Sequence, residues 1–256
     1  MKKIVFFTVL SVSPFFPCFA GSFYSNIVVL SADVQNFHEI LTQMDINAYY
    51  VLKDSVAVIY EENIDDQDIK YGMKLSKNIS KIFNSIAVYT TVHDSDIVLM
   101  YVYKNDNLIF LYDSMPGYFN GEDIPPRIRF LDKLIEVFPF VSKEEMLNVL
   151  TTSIDELFAE ELHERIINLL ELPLFSVGFG YNFLNDTDER RYFEDDFQVR
   201  VDKIGGHNGQ SQNSWNDIKQ KEWYYVIIIT CVFILFIIIR SILIKRRKKR
   251  ILKYYE

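Results

Sequence analysis

The feature that most limits what this chain can fold into lies near its C-terminus, where the nearly unbroken apolar run Tyr224 to Ile239 continues past Arg240 into Ile242-Leu243-Ile244. As a helix, the 21 residues 224–244 extend about 30 Å, the thickness of a bilayer's hydrocarbon core. A helix apolar on every side has no place on a water-soluble surface. The block Lys245-Arg246-Arg247-Lys248-Lys249-Arg250 directly after it has the form of a basic stop. Trp223, Tyr224 and Tyr225 occupy the position of an aromatic belt, and Arg240 can snorkel toward the basic block. The sequence therefore predicts a single transmembrane helix over 223–244 and a basic cytoplasmic tail over 245–256. Any folded domain must come before them.

At the other end, Met1-Lys2-Lys3 precedes the apolar stretch Ile4 to Phe19, which is broken by Pro14 and Pro17 and followed by Ala20-Gly21-Ser22. A charged start, an apolar run and small residues around a cut after Ala20 have the form of a secretory signal peptide over 1–20. Cys18 follows Phe15-Phe16-Pro17, which lacks the small and aliphatic residues of a lipoprotein cleavage site. Two other readings stay open. The segment is either an uncleaved anchor, or Ile4 to Val12 is the first strand of a cytosolic domain carrying a C-terminal tail anchor. The signal and the uncleaved anchor both place the body outside the cytoplasm, on the periplasmic or extracellular face, with the basic tail inside.

Charge narrows the partners. From Gly21 to Trp223 the chain holds 17 basic and 34 acidic residues, a formal net charge of −17. No cluster of Lys and Arg precedes the tail, so this body repels phosphate, and nucleic acid is not an expected partner. The two cysteines are Cys18 and Cys231. The body between the terminal segments therefore has no disulfide staple, thiolate zinc site, CxxC pair or cysteine nucleophile. At about 200 residues it is long enough to be held by an apolar core alone.

Along the body, Asn26 to Leu30 reads as a strand, followed by a helix with Val34, Phe37, Leu41 and Met44 on one face. Strands Tyr49 to Leu52 and Ser55 to Tyr60 flank a two-residue Lys53-Asp54 turn. An acidic loop, Glu61 to Asp68, leads to a helix with Ile69, Met73, Ile79, Ile82 and Phe83 at helical spacing, then to the strand Ile86 to Val92. Strand, helix, hairpin, helix, strand is the order of a ferredoxin-like βαββαβ unit. A further hairpin, Ile97 to Tyr103 and Leu108 to Tyr112 across Lys104-Asn105-Asp106-Asn107, is apolar on both faces and needs a cover on its second side.

That cover is expected from helices beyond Pro125-Pro126, where Ile128, Leu131, Ile135 and Phe138 form a stripe. Ser142 with Glu145 and Ser153 with Glu156 have capping-box spacing, and the last helix is expected to bury Leu157, Leu162, Ile166 and Leu169. The predicted fold class is α+β: a ferredoxin-like core extended by a β-hairpin, its second face covered by helices, in one globular domain over 21–185. A charged and polar stalk is expected over 186–222.

Three segments stand out: His93-Asp94-Ser95-Asp96, Asp113-Ser114-Met115-Pro116-Gly117-Tyr118-Phe119, and Leu172-Pro173-Leu174-Phe175-Ser176-Val177-Gly178-Phe179-Gly180-Tyr181. Together they resemble a family of uncharacterised, mostly soluble bacterial proteins, over about Ile27 to Leu184. The resemblance implies no activity, cofactor or partner, because none is known for that family. The export segment and the anchor are departures from it.

Read chemically, His93, Asp94, Asp96 and Asp113 are the residues a divalent cation would use if the turn and the hairpin end lie together. Ordinary turn chemistry explains the same aspartates. Asp33 is expected to cap a helix. The ExxH pair Glu160 and His163, with Glu161 and Glu164 beside it, reads as a solvated acidic face. Gly178-Phe179-Gly180 lacks the context of a dinucleotide site. No cofactor is expected. The residues expected to contact a protein or peptide partner are Asp113, Pro116, Gly117, Tyr118 and Phe119, where a Pro-Gly reversal sets two aromatic rings on a rim. The expected function is an exported, single-pass, membrane-anchored, noncatalytic interaction module. A metal-dependent hydrolase or transferase built on the His/Asp group is the alternative.

Overall fold

The computed structural model describes residues 22–30, 36–122, 124–152 and 158–205. The expected signal peptide, transmembrane helix and basic tail lie outside these residues, as do Asp33, Val34, Leu157 and the Ser153/Glu156 capping box. Among the described residues no helix is long and apolar enough to cross a membrane.

The chain runs β1 (Tyr24–Val29), α1 (Phe37–Gln43), β2 (Ala48–Lys53), β3 (Val56–Glu61), α2 (Glu62–Asp65), α3 (Ile69–Ile82), β4 (Ile86–His93), β5 (Ile97–Lys104) and β6 (Asn107–Asp113). It continues with β7 (Arg127–Arg129), α4 (Leu131–Val137), α5 (Lys143–Leu150), α6 (Ala159–Leu169), α7 (Tyr181–Asn185), α8 (Thr187–Phe197) and β8 (Val201–Ile204). The strands form one eight-stranded sheet in the order β7-β6-β5-β4-β1-β3-β2-β8, every neighbouring pair antiparallel.

Local chemistry sets the hairpins. Asp54 and Ser55, Asp94 and Ser95, and Asn105 and Asp106 all have positive φ. These left-handed pairs match strand twist, and Asp and Asn tolerate them best. The first turn is Asp54-Ser55 and not Lys53-Asp54, since Lys53 still pairs with Val56 in the ladder.

Strand alternation divides the interior in two. On one face Ile27, Val29, Ala57, Ile59, Ala87 and Tyr89 pack with Phe37 and Leu41 of α1 and with Leu75 and Ile79 of α3. On the other, Val28, Val58, Val88, Val98, Met100, Phe110 and Tyr112 pack with Leu134 of α4, Met146 and Leu150 of α5, and Leu162 and Ile166 of α6. The β5-β6 hairpin thus has its second side covered by helices that follow Pro125-Pro126. The Ser142/Glu145 capping box opens α5, each side chain bonded to the other's end of the turn.

Several expectations are corrected. The acidic stretch after β3 is not a loop: Glu61 is fully buried and its carboxylate accepts the Ile64 N–H, capping α2. Arg127–Arg129 do not join the following helix but add an edge strand to β6. In α3 the buried residues are Gly72, Leu75, Ser76, Ile79 and Ser80, whereas Ile82 is 48% exposed. Small residues four apart make this seam, which a search for large apolar side chains passes over. Their smallness is needed at Gly72, where an added Cβ would lie 2.3 Å from Cζ of Tyr89. Gly72→Ala is therefore expected to destabilise the fold by about 1–3 kcal/mol through overpacking, read as a lowered urea midpoint with an unchanged slope.

The largest correction concerns the stalk. Residues from Asp186 onward continue the fold: the Asp186 carboxylate accepts the Asp188 and Glu189 N–H groups at the start of α8, and β8 pairs with β2. Charge density misleads here because a surface helix needs only a narrow apolar stripe. Phe193 and Phe197, four residues apart, supply it. The described fold thus runs past 185 to Ile204, and residues 206–222 of the expected stalk lie outside the described residues.

Candidate functional site

Four strand termini meet at one end of the sheet: the start of β1, the end of β4, the start of β5 and the end of β6. The β4-β5 turn closes when the Asp96 N–H donates to the His93 carbonyl at 3.1 Å. Ser95 fastens this turn on two sides. Its N–H donates to the Ser22 carbonyl at 3.2 Å, and its hydroxyl oxygen accepts the Ser22 N–H at 2.8 Å. Its carbonyl accepts the Ala159 N–H at 2.8 Å, and its hydroxyl donates to Glu160 Oε1 at 2.8 Å. The turn is thereby bonded to the first turn of α6.

The loop after β6 folds back over the same turn. Asp113 Oδ1 accepts the Met115 N–H at 3.2 Å, and the Gly117 carbonyl accepts the Asn120 and Glu122 N–H groups. Burial raises the Asp113 carboxyl above the usual range, opposed by the Met115 N–H and by Arg127. Of the five residues expected at a partner surface, Asp113, Pro116 and Gly117 thus build the loop, and Tyr118 and Phe119 are what it presents. Phe119 is 72% exposed.

The two rings meet the His/Asp turn directly. His93 packs against Tyr118 at 6.0 Å and Phe119 at 5.3 Å between ring centroids, and against Phe23 at 4.9 Å. The Tyr118 hydroxyl lies 3.4 Å from Asp94 Oδ2 and 3.2 Å from Asp96 Oδ2. His93, Asp94 and Asp96 therefore gather around an aromatic pair, while Asp113 is occupied in its own loop. Among the described residues, no group of three or more His, Cys, Asp or Glu side chains is placed to hold a metal ion. Phe23, 48% exposed, packs on His93 of the same turn, and Phe158, 67% exposed, directly precedes Ala159, whose N–H bonds the Ser95 carbonyl. Sequence reading missed both, because nothing local distinguishes a ring before a strand, or one at a helix start, from a core residue.

No family model, curated protein or solved structure matches this chain.

Behind the surface, the expectation of a solvated Glu160/His163 face is overturned. His163 is fully buried, and its Nδ1 pairs with the Tyr24 hydroxyl at 2.8 Å. Desolvation lowers the imidazole to about 3, so it is neutral. Burial raises the ionisation of Tyr24 far above the ordinary range, opposed by the backbone of Gly178. The segment 172–181 clasps the sheet by similar bonds. Asn26 donates its amide to the Ser176 and Phe179 carbonyls at 2.6 and 3.2 Å, and Tyr60 donates to the Phe175 carbonyl at 2.5 Å. Asp65 accepts the Ser25 N–H at 3.1 Å and the Asn182 N–H at 2.8 Å, its carboxyl raised by burial to about 6. These residues position the sheet end and are enclosed by it. The surface that faces outward is aromatic and acidic.

Proposed function

We propose that this chain is an exported, single-pass membrane-anchored binding module with no catalysis of its own, and that it meets a protein or peptide partner through the aromatic end of the sheet. One observation carries the reading. Phe119, 72% exposed, stands on a loop tied down by the Asp113 and Gly117 hydrogen bonds, its ring edge-on to those of His93 and Tyr118. Rings held in place while still in water have little conformational entropy left to lose on binding, which is what anchor residues of interfaces require. The anchoring and export parts rest on the apolar run 224–244, the basic block after it and the N-terminal segment.

The half of the domain from β1 to β4 is proposed to be ferredoxin-like. Supporting this, β3 lies between β1 and β2 in the sheet, and α1 and α3 pack on one face.

The test is photo-crosslinking from the full chain in its native membrane, with benzoylphenylalanine replacing Phe119 or, as a control, Tyr192 of α8, which is 71% exposed. A discrete adduct from position 119 and none from 192 is expected. The same adducts from both positions, or none from either, would count against a partner surface at this end.

A further inference from the structure

We infer that the partner taken by this aromatic end is a cationic peptide segment, whose lysine or arginine side chains lie between the exposed rings and the Asp94 and Asp96 carboxylates. This rests on the binding reading above and narrows it to one class. The decisive geometry is the sharing of one hydroxyl by two carboxylates. Tyr118 has a single O–H proton, yet Asp94 Oδ2 and Asp96 Oδ2 both lie within 3.4 Å of its oxygen. One of the two carboxylates therefore goes without that hydrogen bond at any moment. The ion pairs among the described residues join Lys81 to Asp106, Lys143 to Asp132, Arg191 to Asp188 and Arg200 to Asp202, and none reaches Asp94 or Asp96.

Among the described residues, two carboxylates with no Lys or Arg ion pair thus stand beside the Tyr118 ring, which packs with His93 and Phe119. Aromatic faces attract cations, arginine most of all because its flat guanidinium stacks on a ring while its N–H groups bind a carboxylate. Nucleic acid and anionic lipid are repelled by the same carboxylates. The charge of the whole body, −17 over residues 21–223, adds a long-range pull on a basic partner and raises its association rate at low salt. Phe119 and Phe23, 72% and 48% exposed and both packed on His93, extend the apolar area beyond what a single amine would cover, which favours a peptide over a small cation.

The experiment uses the full chain in a neutral detergent and two fluorescein-labelled short peptides, one alternating arginine and leucine, the other alternating glutamate and leucine, with binding read by anisotropy. The arginine peptide is expected to bind. Its Kd is expected to rise about ten-fold or more with Phe119→Ser and with the pair Asp94→Asn and Asp96→Asn, and less than about two-fold with Asp195→Asn and Asp196→Asn on α8. Far-UV circular dichroism checks that the variants fold, and Phe119 is exposed enough for its loss to leave the core alone. Equal weakening by the α8 pair would reduce the effect to nonspecific charge and overturn the inference. Binding of the glutamate peptide that depends on Phe119 would overturn the cationic class while leaving the binding surface intact. Failure of both peptides would overturn the inference as well, and crosslinking from position 119 would then decide the binding reading separately.

Discussion

Replacing Phe193 by alanine is expected to cost about 3–5 kcal/mol of folding stability, as for other buried Phe-to-Ala truncations. The side chain is 1% exposed and its ring meets those of Phe179 at 4.9 Å, Phe197 at 5.1 Å, Tyr60 at 6.1 Å and Phe175 at 6.4 Å. Tyr60 belongs to the sheet, Phe175 and Phe179 to the clasp over it, and Phe197 to the same helix. One truncation therefore opens a void among three parts of the fold. The neighbouring Tyr192, 71% exposed, is the internal control, and its change to alanine is expected to stay within about 0.5 kcal/mol. Urea denaturation of the full chain in mild detergent reads both. Equal, small effects at 192 and 193 would mean that α8 does not belong to the core.

The second large effect depends on pH and has opposite signs at two buried groups. The His163 imidazole titrates at 6.5 when exposed and at about 3 in the fold because burial disfavours its charge; the Tyr24 hydroxyl is its hydrogen-bond partner. Below pH 6.5 the unfolded chain binds the extra proton first, so stability falls with decreasing pH, by about 1.4 kcal/mol per unit and about 4–5 kcal/mol in all. Asp65 goes the other way. Its carboxyl is raised from 3.8 to about 6, chiefly by burial, with Asp66 adding to the shift and the Ser25 and Asn182 N–H groups opposing it. Between those values the folded chain holds the extra proton, so the fold becomes more stable as pH falls, by about 3 kcal/mol over the window.

The two slopes oppose each other between about pH 4 and 6, and single variants separate them. Relative to the parent, His163→Gln is expected to gain stability steadily as pH drops from 6.5 toward 4. Asp65→Asn is expected to lose it over the same range. Parallel curves for parent and variants would refute the burial of these two groups as charged-state penalties. Glu61, also raised by burial, adds to the Asp65 side and cancels in the comparison because every protein in the series carries it.

What could be read from the chain alone follows physical range. The succession of elements from β1 to β6, the β5-β6 hairpin, the need for a second covering layer and the Ser142/Glu145 cap were legible because apolar alternation, Asp/Asn turns and capping spacing act within a few residues. The meeting of His93-Asp94-Ser95-Asp96 with Tyr118-Phe119 was half legible. Each segment was visible as a turn, but only the pairing of β4, β5 and β6 brings them together. Three things were not legible. Gly72, Ser76 and Ser80 form a seam whose signal is an absence of bulk. Glu160 and His163 sit on a helix full of glutamates, and nothing local reveals that His163 joins the buried face carried by Leu162 and Ile166 and meets Tyr24, or that Glu160 meets Ser95. The stretch 186–204 reads as solvated because its charges outnumber the two phenylalanines that dock it.

A folded binding domain held outside the cytoplasm is open to reagents that do not cross the membrane, and a single engineered cysteine reports its side. The body between the terminal segments contains no cysteine, and position 192 is open to solvent. The full chain carrying Tyr192→Cys, expressed in spheroplasts, is treated with a membrane-impermeant maleimide before or after lysis, with the parent chain as background. Labelling before lysis as complete as labelling after it is expected. Labelling that appears only after lysis would place the domain in the cytosol and contradict its export.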